Sequence, residues 1–269
     1  YGFLTQSSIP QLFLAGLVPG IALALAFLVV TAIICALRPG LGGERRTFPL
    51  GQMLRGLADL LPILALFAVI IGTIYKGWAT PTEAAAVGVA GALAIAAAVG
   101  GVSRRMLAES LLGTVKITSM IMLVVIGASF LNFTLASAGL GGELRAFLDG
   151  LGLTPLSTIL VIVAIYVVLG FFIETLSLMV VTIPIIVPVV IELGYDPIWF
   201  GILMIVLIEM ALITPPVGLN LYVVQGARKG GSMSEVMVGA VPYVLVMLAM
   251  AGLLIAFPQI ALFLPAALQ

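Results

Sequence analysis

The chain has 269 residues, of which 63% are hydrophobic and only 8% charged, with a mean hydropathy of +1.34. That leaves too little polar surface for a soluble domain, and a net charge of zero gives no reason to expect a nucleic-acid partner. Histidine is absent from the sequence, which removes imidazole metal sites, triads and proton relays, and the single Cys35 excludes an intrachain disulfide and argues against structural zinc.

Six stretches are long and apolar enough to cross about 30 Å of hydrocarbon: 12–37, 61–78, 83–101, 112–136, 197–226 and 237–264. The opening YGFLTQSSIP shows no cleavable signal peptide and reads as though it starts mid-protein. The first span is followed by Arg38, Arg45, Arg46 and Arg55, and by LGQMLRGLAD (50–59), either an amphipathic arm or a plain connector. Thr80-Pro81-Thr82-Glu83 is a capping box with proline at the first helical position. Arg104 and Arg105 precede the fourth span, where Asn132 is suited to bonding between helices. GLGGELRAFLDGLG (139–152) places Leu140, Leu144, Phe147 and Leu148 on one face, as in an interfacial helix, although a connector is the alternative.

Thr154-Pro155 and Asp196-Pro197 repeat the cap-then-proline arrangement, and Ser232 with Glu235 reads as a second capping box. Arg228 and Lys229 close the fifth span. Six crossings put all three basic loops on one side, which the positive-inside rule makes cytoplasmic, with both chain ends outside. Trp78 and Trp199 fall near outer span ends, where interfacial indoles belong.

Residues 153–193 are read as a re-entrant hairpin of two short helical legs entering from outside, with Gly170-Phe171-Phe172-Ile173-Glu174-Thr175 at the tip. Such backbone is tolerated at membrane depth only against protein or a wet cavity. The alternative is two ordinary spans with Glu174 in a loop. The tip supplies Gly170, Glu174, Thr175 and Ser177, and Thr182 lies in the second leg. In ALITPPVGLNLYVVQG (211–226), Pro215 and Pro216 lack amide protons and their rings clash a turn earlier, so the helix breaks. The freed carbonyls lie near Ala211 and Leu212, beside the Thr214 hydroxyl and the negative end of the first half-helix. The second half-helix starts near Gly218 and Asn220 and offers amides suited to a carboxylate. The competing reading is a proline kink satisfied by its neighbours. Glu209, on the otherwise apolar FGILMIVLIEM, and Glu174 are the acids expected within the bilayer.

Gly226 precedes Gly239-Ala240-Val241-Pro242 much as Gly2 precedes Gly16-Leu17-Val18-Pro19. Five crossings separate the two copies, so they would form an inverted repeat, a recurring plan of secondary transporters.

Five stretches then carry a family resemblance: GWATPTEAAAVG (77–88), LGFFIETLSLMVVTIPIIVPV (169–189), GYDPIWFGI (194–202), ITPPVGLNLYVV (213–224) and FPQIALFLP (257–265). In order and spacing the chain resembles the C-terminal part of the DctM-like large membrane subunit of TRAP (tripartite ATP-independent periplasmic) transporters. The resemblance implies an all-α polytopic protein, the second half of an inverted-repeat elevator-type transporter. It implies a bacterial inner-membrane location and sodium-driven uptake of organic acids, often carboxylates. It further implies a small four-span membrane subunit and a periplasmic substrate-binding protein as partners. The first hairpin and first broken helix, roughly a third of the expected protein, would lie outside this chain.

On that reading 1–60 ends the first repeat, 61–136 holds scaffold-type spans, and 137–152 is the interfacial arm. Residues 153–226 form half a transport domain, with the hairpin at 153–193 and the broken helix at 197–226, and 227–269 is the final span. Sodium is expected at Gly170, Thr175, Thr182, Ala211, Thr214 and Gly218, and substrate at Gly218, Asn220 and Thr175. Pro215, Pro216, Glu174 and Glu209 are expected to gate or couple. A transporter that needs no binding protein, or a non-transporting scaffold subunit, would be the alternatives. No nucleophile–base pair, metal cluster or nucleotide motif in the sequence points to an enzyme or an ATP-driven pump.

Overall fold

The computed structural model describes residues 1–41, 49–139, 150, 152–173, 175–215, 218–228 and 230–268. Among the described residues every regular element is helical. They are α1 (Gly2–Thr5), α2 (Ile9–Leu37), α3 (Leu50–Tyr75), α4 (Pro81–Ala98), α5 (Arg104–Ser137), α6 (Pro155–Gly170), α7 (Thr175–Glu192), α8 (Pro197–Leu212), α9 (Leu219–Ala227), α10 (Met233–Ala256) and α11 (Gln259–Ala267), with a 3₁₀ turn at Pro39–Leu41. By length and composition six of these can cross a membrane: α2, α3 from Ala58, α4, α5 to Leu131, α7 and α10. The chain is therefore an all-α polytopic membrane protein. It divides into two compact units, Arg38–Met122 and Tyr1–Leu37 with Leu123–Gln269.

In the smaller unit, α3 and α4 pack antiparallel through small residues. A Cβ on Gly88 would stand 2.9 Å from Ile70 Cδ1, and one on Gly91 would collide with Leu66. Absent side chains let helix backbones approach where lipid supplies no hydrophobic drive. The Thr80 box forms as expected. Thr80 Oγ1 accepts from the Glu83 amide at 3.3 Å, and the Thr80 amide donates to the Glu83 carboxylate at 2.8 Å. LGQMLRGLAD is not a separate arm, because α3 starts directly after Pro49 and runs on through Pro62. Trp78 is exposed and carries Lys76 Nζ 4.7 Å from its ring centroid.

The larger unit is built around α8. This helix is apolar but for Glu209, and most of it is buried by its neighbours. Trp199, Phe200, Leu203, Met204 and Leu207 are each 0% exposed. The helices α6 and α7 cover one side of it, and α2, α10 and α11 cover others. Trp199 is thus not an interfacial anchor. Its indole donates to the Leu254 carbonyl at 2.7 Å and stacks on Tyr195, bracing α8 against α10.

Two further expectations are corrected. The final span is interrupted, since Pro258 forces Phe257 to φ −133°, ψ 75°, ending α10 at Ala256 before α11 begins. Ser232 precedes α10, but its hydroxyl does not cap the helix amides; the Glu235 carboxylate bonds back to Ser232 and is also held by Arg228 Nη2 at 2.8 Å. The arm at 139–152 falls mostly outside the described residues, as does the Asn132 side chain.

The legs α6 and α7 run antiparallel, joined through the turn at 171–173, and tied where Tyr166 Oη and Thr182 Oγ1 meet at 2.6 Å. Such a pair leaves by the side it entered whether or not it reaches the far face, so the arginine and lysine pattern does not distinguish a re-entrant hairpin from two full spans. Leg length bears on the point. The 16 residues of α6 rise about 24 Å, short of the roughly 30 Å hydrocarbon layer.

Candidate transport site

The break in 197–226 is present as expected: α8 stops at Leu212 and α9 resumes at Leu219. The local chemistry follows from the prolines. A helix continuing past Leu212 would need amides at 215 and 216 to reach Ala211 and Leu212. The chain tightens instead, so the Ile213 amide donates to Met210 at 3.1 Å and the Thr214 amide to Ala211 at 3.2 Å. The Ala211 carbonyl is therefore partly repaired, while Leu212 loses its donor to Pro216. The Thr214 hydroxyl donates to the Met210 carbonyl at 2.6 Å. The Gly218 amide donates to Thr214 O at 3.1 Å. A Cβ on Gly218 would lie 3.0 Å from that oxygen and 3.1 Å from Leu212 O, so two carbonyl oxygens crowd a glycine backbone.

The hairpin reaches this break directly. A Cβ on Gly170, at the end of α6, would collide with the Ala211 Cβ. Gly170, Ala211, Thr214 and Gly218 thus belong to one contiguous region where hairpin tip and helix break meet. Thr175 opens α7 and is half-buried, Pro215 is half-buried at the break, and Asn220 is exposed in the first turn of α9. Glu174 and Pro216 lie outside the described residues.

Thr182 is spent differently. Its hydroxyl donates to the Leu178 carbonyl at 2.7 Å, which leaves Tyr166 as donor in their 2.6 Å contact. Both lone-pair and proton roles of Thr182 are then engaged in tying the legs. Glu209 is exposed on the face of α8 that it shares with Ile205. At about 100° per residue, it points roughly opposite to Ala211, so the structure does not bring it to the break.

The model of the family described as "Tripartite ATP-independent periplasmic transporter, DctM component" matches residues 1–260. The chain belongs to the DctM family. It is 34% identical over 268 residues to the C4-dicarboxylate TRAP transporter large permease protein DctM of Pseudomonas aeruginosa, covering 98% of this chain and 62% of that protein. It is 32% identical over 270 residues to the sialic acid TRAP transporter large permease protein SiaM of Vibrio cholerae, with 98% and 62% covered. It is 30% identical over 269 residues to the ectoine/5-hydroxyectoine TRAP transporter large permease protein UehC of Ruegeria pomeroyi, with 98% and 61% covered. The chain thus spans about three fifths of the length of these DctM-family relatives.

Within this family chain, sequence reasoning overlooked Tyr166. It is 1% exposed, packs edge-on against Phe200 and supplies the hydroxyl that ties the hairpin legs. The signal was there: a single tyrosine in the apolar run TILVIVAIYVVLG, whose hydroxyl needs a partner when buried. The Met210 carbonyl was also missed, because the repair of the helix end depends on which amides and hydroxyls turn back.

Proposed function

We propose that this chain is part of the large permease of a sodium-coupled secondary transporter that imports small organic acids, carboxylates above all. The observation that carries the reading is the meeting of Gly170 with Ala211, which sets a hairpin tip against a proline-broken helix. In transporters of this plan, unwound carbonyls and half-helix C-termini hold the cation, and half-helix N-termini face anionic substrate groups. The donor set fits a hard cation, since the Leu212 and Thr214 carbonyls and the Thr214 hydroxyl supply only oxygen. The start of α9 at Leu219 offers amides to a carboxylate. We read α6 and α7 as re-entrant, α8–α9 as the crossing, and Pro215 and Pro216 as the coupling element.

A periplasmic binding protein delivering the substrate and a small membrane subunit complete the proposal, in a bacterial inner membrane. Sialic acid and C4-dicarboxylate in the relatives' names support an acid substrate, while ectoine shows that the family is not confined to one class. Uptake of succinate and of sialic acid into proteoliposomes holding the complete complex tests it. The expected result is uptake that requires a sodium gradient and the binding protein. Equal uptake with potassium or choline on both sides would refute sodium coupling.

A further inference from the structure

A groove of about 450 Å³ lies between α2, α9 and α10 and reaches Ile213 at the helix break. Its wall is apolar, with Phe27, Ile213, Leu221, Val224 and Ala240 among the lining. The polar group at its inner end is already satisfied, because Tyr243 Oη and Thr31 Oγ1 bond at 2.8 Å and the Tyr243 ring meets Phe27 edge-on. Such a wall suits hydrocarbon and not a carboxylate.

The mouth carries the ion pair of Arg228 and Glu235. Arg228 closes α9, and its Nη2 bonds the Glu235 carboxylate at 2.8 Å. The pair is seated over Gly231, where φ is +90° and a Cβ would stand 2.5 Å from Nη2 and 2.7 Å from Oε2. Gln225 Nε2 donates to the Gly231 carbonyl at 2.9 Å and ties the same loop to α9. The guanidinium has five N–H donors, and this pair uses one nitrogen, so further donors remain for a phosphate. In sequence, Arg228 and Lys229 against Glu235 make the stretch 228–235 net positive.

Depth decides the occupant. Tyr243 is ten residues beyond Met233, about 15 Å along α10, or half of the hydrocarbon layer. The groove therefore runs from headgroup level to mid-membrane within one leaflet, on the side the basic loops make cytoplasmic. A crossing helix would need twice that length. We propose that an anionic phospholipid of the cytoplasmic leaflet occupies this groove, one acyl chain against Phe27, Val224 and Ala240, its phosphate on Arg228.

Native mass spectrometry of the purified 269-residue chain, titrated with phosphatidylglycerol or phosphatidylcholine, tests the assignment. The unaltered chain prefers phosphatidylglycerol. Arg228→Gln lowers phosphatidylglycerol binding about fivefold, the worth of one basic residue near an anionic surface, and leaves phosphatidylcholine unchanged. Gly239 lines the groove, and a Cβ there meets nothing within 4 Å. Gly239→Leu therefore starts its side chain in open space at the groove and should weaken binding of both lipids. Both positions are exposed, so neither change removes a core contact. Equal binding of the two lipids by the unaltered chain, or phosphatidylglycerol binding unmoved by either substitution, overturns the proposal. Loss with Arg228→Gln while Gly239→Leu binds normally overturns the acyl-chain seat.

Discussion

Gly170 and Ala211 share a space that holds one methyl group, and the hairpin tip can approach the helix break only because residue 170 contributes none. Adding a side chain there should cost about 1–3 kcal/mol by overpacking. Gly170→Val is expected to lower uptake by the complete transporter about tenfold or more. Gly170→Ala with Ala211→Gly moves the methyl across the contact, and uptake should recover relative to Gly170→Ala alone. Failure of the pair to recover would mean that the contact does not set activity. Thr214 is a second test. Its hydroxyl donates to Met210 and belongs to the proposed cation site, so Thr214→Val should raise the half-saturating sodium concentration while Thr214→Ser stays close to wild type. Tyr166→Phe removes one buried intramembrane bond, worth about 0.6 kcal/mol. It should lower thermal stability slightly and leave sodium affinity intact, since Thr182 is engaged with Tyr166 and Leu178.

The elements that were legible in the sequence are those whose backbone is set locally. Pro215-Pro216 removes two amides whatever surrounds it, and Thr80-Pro81-Thr82-Glu83 caps a helix with its own side chains, so both could be read residue by residue. The pair of helices joined after Gly170 was legible from the cap-then-proline start at Thr154-Pro155 and from the glycine that ends the first of them. Trp199 was not, because an indole near a span end is an anchor or a core residue according to what packs on it. Here α10 supplies the Leu254 carbonyl. At Ser232 only the carboxylate half of the box forms: Glu235 turns back to Ser232, and Arg228, brought near by the turn at Gly230 and Gly231, joins it.

A re-entrant hairpin also makes a prediction that two full spans do not share. In a Cys35→Ser background, Phe172→Cys at the exposed turn should resist an impermeant thiol reagent applied from the cytoplasmic side. Ready cytoplasmic labelling would place the turn in the far aqueous phase and make α6 and α7 ordinary spans.

At the scale of the whole molecule, the larger unit is arranged so that one helix serves every other. The buried α8 presents Phe200 to the hairpin, Trp199 to α10 and Gly201 to Tyr1, whose hydroxyl donates to the Pro197 carbonyl at 2.6 Å. Its C-terminal end is where the helix opens. The segments α2 and α10, which hold Pro19 and Pro242 of the two similar glycine–proline stretches, run antiparallel: Phe27 meets Tyr243, and Gly16 lies against Ile202, one turn from the Trp199 that bonds Leu254.

The central claim is that this end binds sodium, and sodium titration of the melting temperature of the purified chain tests it most directly. Choline should replace sodium at constant ionic strength, with potassium as a control. At sodium tenfold above its dissociation constant, linkage stabilises by about 1.4 kcal/mol, a rise of about 3–6 °C for a chain of this size. The account predicts that rise with sodium alone, and its loss in Thr214→Val and in Pro215→Ala with Pro216→Ala. Melting temperatures that are the same in sodium, potassium and choline, or a sodium shift that survives both variants, would contradict it.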